Sequence, residues 1–389
     1  MSEGEATGAP APLAPACGRR AVGAAWRRAV PAALACMSLA VVAGCGSSAP
    51  DAAGGAGPAR EQLVFMSWAD DLPASVIEAF ETEFGVELVY ESYESTEEAV
   101  ERLRAGREYD IAVIDGPYIP GLAADGLLAE IDYRRVPNFR HVSANFRDLA
   151  FDPGNRHSVT YNWGLAGLIV RTDLVDRPVV AWQDLWDPSF AGRVLAWDDR
   201  DILIGITLRS LGYSINTDSP EQLEEALQKL LQLRGSAMTS GYSPDIAMEA
   251  LASGEAVLMF GWSADALRAR EEGLEVAFVL PEEGSIQWID NFVVPASSER
   301  KALAEAFIDF MLRPEISAQV VNEHYYPTAN ESAYPHILPE ILGDPLIVPP
   351  ASKVANAEVH APTGPRTREL HERIWSAYLA AGQQAVPEP

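Results

Sequence analysis

Residues 63–114 read LVFMSWADDLPASVIEAFETEFGVELVYESYESTEEAVERLRAGREYDIAVI, and this stretch decides the fold. Leu63 to Met66 is a short apolar run suited to a buried strand. Pro73 then opens a helix that carries Val76, Ile77, Phe80 and Phe84 on one face, and Gly85 stops it. Val86 to Tyr90 is a second strand. Ser95-Thr96-Glu97-Glu98 has the pattern of a capping box and starts a second helix with Val100 and Leu103 inward. Ile111 to Ile114 is a third strand. Strand, helix, strand, helix, strand implies an α/β domain with a parallel sheet and right-handed crossovers.

In such a sheet ligands bind beyond the carboxyl ends of the strands. Those ends are Trp68-Ala69-Asp70-Asp71, Ser92-Tyr93-Glu94-Ser95 and Asp115-Gly116-Pro117-Tyr118, so three strand ends supply acids and aromatics. Far along the chain, Trp288-Ile289-Asp290 repeats the pairing of a large aromatic face with a carboxylate. Both groups attract organic cations. Convergence of the two segments would make a cage for one.

A second α/β unit follows. Gly164 to Val170 reads as a strand, Trp182 to Phe190 as a loop or short helix, and Val194 to Trp197 as a strand ending in Asp198-Asp199-Arg200-Asp201. Ser219-Pro220 caps a helix through about Leu233, and Ala256 to Phe260 is a strand ending at Gly261-Trp262-Ser263. A later helix runs from about Lys301 to Leu312 and stops at Pro314. Trp163, Trp182 and Trp186 read as packing residues. No internal repeat is present.

The N-terminus has the build of an export signal. Arg19, Arg20, Arg27 and Arg28 form a basic region, and an apolar run from Ala29 to Gly44 falls short of the roughly 20 residues of a comfortable span. Val42-Ala43-Gly44-Cys45 resembles a bacterial lipobox, which implies cleavage before Cys45 and lipidation of it. Gly, Ala, Ser and Pro from Gly46 to about Ala59 read as a flexible tether. The 3 cysteines, Cys17, Cys36 and Cys45, all lie at or before the proposed cut, so the body has neither disulfides nor thiolate metal sites. The net charge of -27 disfavours nucleic acid and anionic lipid surfaces as partners and suits a cationic ligand.

With these segments in view, the chain resembles the spermidine/putrescine-binding proteins of bacterial ABC importers from about Leu63 to Asn330. The likeness is carried by Ser67-Trp68, Tyr93-Glu94-Ser95, Tyr109-Asp110-Ile111, Phe151-Asp152-Pro153, Tyr161-Asn162-Trp163-Gly164, Trp182-Gln183-Asp184-Leu185-Trp186, Leu211-Gly212-Tyr213-Ser214, Trp288-Ile289-Asp290 and Tyr326-Pro327-Thr328, in order. The resemblance implies a two-lobed periplasmic-binding-protein fold of type II, with ligand trapped in the cleft between lobes. It implies lobes of 62–164 plus 290–334 and 165–289 plus 335–385, after a signal peptide of 1–44 and a tether of 45–61. Trp68, Trp262, Trp288 and Tyr326 match aromatic walls, and Asp70, Asp199 and Asp290 match acids. Asp71 and Pro117 stand where the best-known polyamine binders have tyrosines. Asp115 replaces a small hydroxyl residue, and Ile202 replaces an acid. Asp71 and Asp115 join the candidate site as added carboxylates.

The expected protein is thus a monomeric, lipid-anchored solute-binding protein without catalysis, cofactor or metal. It would hand a polyamine to the permease and ATPase subunits of an importer. Two other readings compete. His324-Tyr325-Tyr326 suits ferric ion, through adjacent phenolates as in ferric-binding relatives of this architecture. Asp70 and Asp71 could serve a hydrolase as paired acids, but no nucleophile elbow, phosphate loop or metal-ligand spacing accompanies them.

Overall fold

The computed structural model describes residues 60–69 and 71–384. Cys45, the leader, the tether to Ala59 and Asp70 lie outside the described residues. The body forms two mixed sheets. In the first, β1 (Glu61–Trp68) pairs in parallel with β2 (Val86–Tyr93) and with β3 (Ile111–Asp115), the order that residues 63–114 predict. The helix Ala74–Phe84 buries Val76 and Phe80, and Gly85 ends it at φ 68, where its N–H bonds back to the Glu81 carbonyl. Ser95 caps the helix Thr96–Arg104 by accepting the Glu98 N–H, and Ala99, Val100 and Leu103 turn inward. The reciprocal carboxylate, Glu98, accepts the N–H of Glu94 rather than that of Ser95.

The apolar run 164–170 is not one strand. It divides into β4 (Ser158–Leu165) and β5 (Gly167–Arg171), and Ala166 between them carries the chain from the first sheet to the second. The second sheet has β6 (Val194–Trp197), β7 (Met238–Ser240), β8 (Leu258–Gly261) and β9 (Val276–Val279) in the order β7-β6-β8-β5-β9. The chain returns through Ser285 into β10 (Ile286–Val293), which lies antiparallel to both β3 and β4. The two crossings are tied together: Ser285 Oγ donates to the Ala166 carbonyl, and Ala166 N–H donates to the Ile286 carbonyl at 2.9 Å. A short β11 (Glu358–Val359) edges the first sheet beside β10.

Each sheet has its own core. Phe65, Phe80, Phe292 and Phe307 centre the first, and Trp182, Trp197, Phe260 and Tyr378 the second. A third, small core joins Ala318 and Val321 of the helix Pro314–His324 to Ile337, Ile341 and Ile347, with Leu267 of the second sheet's helix Ser263–Glu271. The final helix, Pro365–Gln384, returns to the second core through Ile374 and Tyr378. Among the described residues, no helix is long and apolar enough to cross a membrane.

Candidate functional site

The carboxyl ends of β1 and β3, together with β10, meet at one place. Trp68 is the last residue of β1 and Asp115 the last of β3, while Asp290 on β10 is the direct antiparallel partner of Asp115. The antiparallel register therefore sets two carboxylates side by side. Burial pushes the Asp290 carboxyl well above its usual range, and the charges of Asp115 and Asp71 push it further; the indole N–H of Trp68 is the neighbour that opposes this. Burial likewise raises Asp115 to about 7 against the N–H groups of Ile289 and Gly116, with Asp201 and Asp199 adding to the rise.

Asp71 is held by the turn that follows β1. Ser67 Oγ donates to its Oδ2 at 2.5 Å, and the Tyr161 hydroxyl donates to its carbonyl at 3.2 Å. The Tyr90 hydroxyl accepts its N–H at 3.2 Å and donates to the Trp68 carbonyl. Burial raises the Asp71 carboxyl to about 6 despite the bonds from Ser67 and Asn162.

From the second sheet, Asp199 caps the helix Arg200–Ser210, where Oδ1 accepts the Ile202 N–H at 3.0 Å. Burial raises it to about 7 against that bond, and Asp201 and Glu97 add to the rise. Its neighbour Asp198 faces elsewhere, to Arg234 at 3.2 Å and the Tyr378 hydroxyl at 3.0 Å.

The aromatic residues complete the surround. Trp288 meets Tyr326 edge to face at 5.4 Å and 85°. It also lies flat on Gly164, where any Cβ would intrude on the indole, so glycine is required there. Trp262 begins the helix Ser263–Glu271 and is half-buried beside Phe260 and Tyr242. The Tyr326 hydroxyl is pushed up by burial and then by Asp265, Asp71 and Asp290, so acids of both sheets surround it. Tyr325 takes φ 65 and packs against the third core, so the adjacent tyrosines do not converge on one ion. Among the described residues, no group of three or more His, Cys, Asp or Glu side chains converges on a metal position.

Of the predicted residues, the structure gathers Trp68, Asp71, Asp115, Trp288, Asp290 and Tyr326 around one cleft. Asp199 acts on Asp115 from the second sheet, Trp262 lies between Phe260 and Tyr242, and Asp70 lies outside the described residues. Several contributors escape the sequence. Tyr93 packs against Trp68 with ring centroids 4.6 Å apart and planes tilted by 57°, and feels Asp290, Asp71 and Asp115. Asp265 accepts the Trp262 N–H at 3.1 Å and the Tyr242 hydroxyl at 2.9 Å, and burial raises it to about 6. Asn162, opposite Asp290 on β4, leaves its Oδ1 without a hydrogen-bond partner, as does the indole N–H of Trp288. Position at a strand end was the available signal for Tyr93, and the spacing from Trp262 for Asp265. A small cavity beside this group is lined by Asp115, Pro117, Ile202, Trp288 and His360. Such a site can hold ammonium groups by charge-assisted hydrogen bonds and cover a methylene chain with ring faces.

Known proteins resemble this chain in sequence and in fold. Residues 75–347 match the family model described as bacterial extracellular solute-binding protein. The spermidine/putrescine-binding periplasmic protein of Escherichia coli K12 is 32% identical over 299 residues, which is 76% of this chain and 85% of that one. Among solved structures, the spermidine/putrescine ABC transporter substrate-binding protein of Streptococcus pneumoniae, in complex with calcium and HEPES, superposes with a TM-score of 0.73 at 27% identity. The match covers 83% of this chain and 99% of that one. The TpPotD lipoprotein of Treponema pallidum gives a TM-score of 0.73 at 25% identity, covering 82% and 99%.

Proposed function

The chain belongs to the bacterial extracellular solute-binding proteins, a family of binders rather than enzymes, and we propose that within it this protein captures a polyamine and delivers it to an ABC importer. One observation carries the reading. Asp71, Asp115, Asp199, Asp265 and Asp290 are all raised by burial, none forms an ion pair with a basic side chain, and Trp68, Trp288 and Tyr326 lie among them. Buried acids without cations are costly, and an organic polycation is the ligand that relieves them all.

In this reading the carboxylates neutralise the ammonium groups, and the rings cover the chain between them. The lobes follow the two sheets, which the chain crosses at Ala166 and Ser285, and closure strengthens every charged contact by excluding water. Cys45 carries the lipid that keeps the protein at the membrane outside the cytoplasm, as the named Treponema lipoprotein suggests. Delivery to permease and ATPase subunits follows from the transporter named for the Streptococcus relative.

Thermal unfolding with a ligand panel tests the proposal. Putrescine and spermidine at millimolar concentration should raise the Tm by several degrees through mass action. Acetate, glucose and ferric citrate should not. A rise with ferric citrate alone would replace the amine by a metal.

A further inference from the structure

The register of the first sheet sets three polar side chains in one transverse row. Asp290 on β10 pairs directly with Asp115 of β3 on one side and with Asn162 of β4 on the other. Residues directly opposite each other across strands share a face, with Cβ atoms about 4.5–5.5 Å apart. Two residues along the same face, Trp288 pairs with Gly164, and its indole lies over that glycine. Asn162 therefore stands beside both the central acid of the row and the ring next to it. The amide of Asn162 is unlike those of the other buried asparagines among the described residues. Asn155 Oδ1 accepts the Asp148 N–H at 2.8 Å, Asn291 Oδ1 accepts the Thr160 hydroxyl at 3.0 Å, and Asn330 Oδ1 accepts the Ser332 N–H at 3.0 Å. Asn162 is 3% exposed, yet its Oδ1 has no partner. Its strand does not need the side chain: β4 is bonded to β10 on one side and to residues 327–329 on the other, where the Trp163 N–H donates to the Pro327 carbonyl at 3.1 Å.

We propose that Asn162 is a ligand-binding residue, the neutral acceptor that works with Asp290 so that the cleft selects an ammonium nitrogen carrying at least two N–H groups. The inference rests on the amine-binding reading and names the kind of amine that the site takes. An ammonium seated between the two residues donates one N–H to the Asp290 carboxylate and another to the Asn162 carbonyl. The amide N–H of Asn162 is already engaged by Asp71, which leaves the carbonyl as the group on offer. Charge alone does not discriminate here, because N-methylated amines are cations too. A dimethylammonium group has a single N–H and a trimethylammonium group has none. Either one leaves a buried carbonyl unmatched, and a site built to hydrogen-bond a group rejects the analogue that lacks it.

An asparagine kept only for packing would behave differently, because its loss would change the affinity of every amine by a common factor. Asn162→Leu separates the cases, since it keeps the approximate size of the side chain and removes the acceptor. It leaves all the cleft carboxylates in place, so the attraction for a cation as such is retained. What is lost is the preference for one kind of nitrogen over another.

The test is calorimetric titration of the full-length protein and Asn162→Leu with putrescine and with N,N,N′,N′-tetramethylputrescine. Asn162→Ala takes the place of the leucine variant if thermal melts show the latter to be misfolded. The wild-type protein should bind putrescine about tenfold or more tighter than its tetramethyl derivative. Asn162→Leu or Asn162→Ala should weaken putrescine by about tenfold and leave the tetramethyl derivative nearly unchanged, so that the ratio collapses. A common loss for both amines, no loss for either, or equal wild-type affinities overturn the role of Asn162 while leaving amine binding intact. Wild-type protein that binds neither of these nor spermidine defeats the amine reading itself, and this inference with it.

Discussion

Asp152 and Asp290 are buried to almost the same depth, 4% and 7% exposed, and keep opposite company. Asp152 accepts the N–H groups of Arg156, His157 and Ser158 and the Ser158 hydroxyl, at 2.7 to 3.1 Å. Asp290 has the Trp68 indole beside it and two further acids within electrostatic reach. The tryptophans divide in the same way. Trp182 donates to the Gly284 carbonyl at 2.9 Å and Trp186 to that of Lys229 at 2.8 Å, whereas the Trp68 N–H is turned to Asp290 and that of Trp288 is buried without a partner. Trp197 shares that lack but is sealed in the second core. A satisfied buried polar group organises a turn. An unsatisfied one among like charges is held at a cost to the ligand-free fold, which marks a site.

The largest effect expected from this contrast falls on the satisfied side. Trp182→Ala removes a fully buried ring and strands a carbonyl, so it should cost about 3–5 kcal/mol of stability. In chemical denaturation the midpoint should fall, while any folded fraction keeps its amine affinity. Trp288→Ala should do the reverse, weakening amine binding by about 1–2 kcal/mol through the lost ring face. Equal losses of affinity in both variants would erase the division between packing and cleft tryptophans.

Asp290→Asn should weaken amine binding by on the order of 2 kcal/mol, because an ammonium is then buried without its carboxylate. The same change should stabilise the ligand-free protein at neutral pH, since it removes one of several crowded charges. Asp152→Asn, at equal depth, should lower stability and leave affinity alone. Titration and thermal melts of the two variants side by side decide whether company or depth governs the outcome.

The acids also predict a pH response. Asp71 and Asp265 near 6, and Asp115 and Asp199 near 7, have folded-state values above those of the unfolded chain, close to 4. Folding therefore favours their protonated forms. That stabilisation is fully present below about pH 4 and is lost as pH rises through 6 to 7. Amine binding needs the ionised forms and should weaken on the order of tenfold, between pH 7.5 and 5.5, for each carboxyl that must ionise. Binding at pH 6 should release protons, seen as a heat that depends on the buffer. Affinity independent of pH over this range would mean that the acids are already ionised.

Much of this was legible in the sequence where one residue carries a local cause. Gly85 and Ser95 mark helix boundaries because a left-handed turn and an N-cap need those residue types. Trp68 and Asp115 were found because strand ends in a parallel sheet gather ligand groups, whereas Asp290 was found by its pairing with Trp288 and lies inside the antiparallel β10 rather than at a strand end. The crossing at Ala166 was not visible, since an apolar run looks the same whether it stays in one sheet or passes to another. Asp265 and Tyr242 enter only when two sheets converge, and no local pattern reports that. The helix Pro365–Gln384 and the third core went unread for the same reason: their partners lie far away in the chain.

The salt dependence of ligand choice gives a smaller effect. Unfilled carboxylates repel one another, so a triamine should bind more tightly than a diamine at low salt, and the gap should narrow as salt screens it. Equal or tighter binding of putrescine at low salt would remove the charge-count argument.

The central claim, that buried and unpaired carboxylates exist to receive an organic polycation, is tested most directly by calorimetric titration of the wild-type protein with spermidine at pH 7.5 and low ionic strength. The account predicts saturable binding of one spermidine per chain, abolished or strongly weakened in Asp290→Asn. No heat and no saturation with spermidine, putrescine or cadaverine would contradict it.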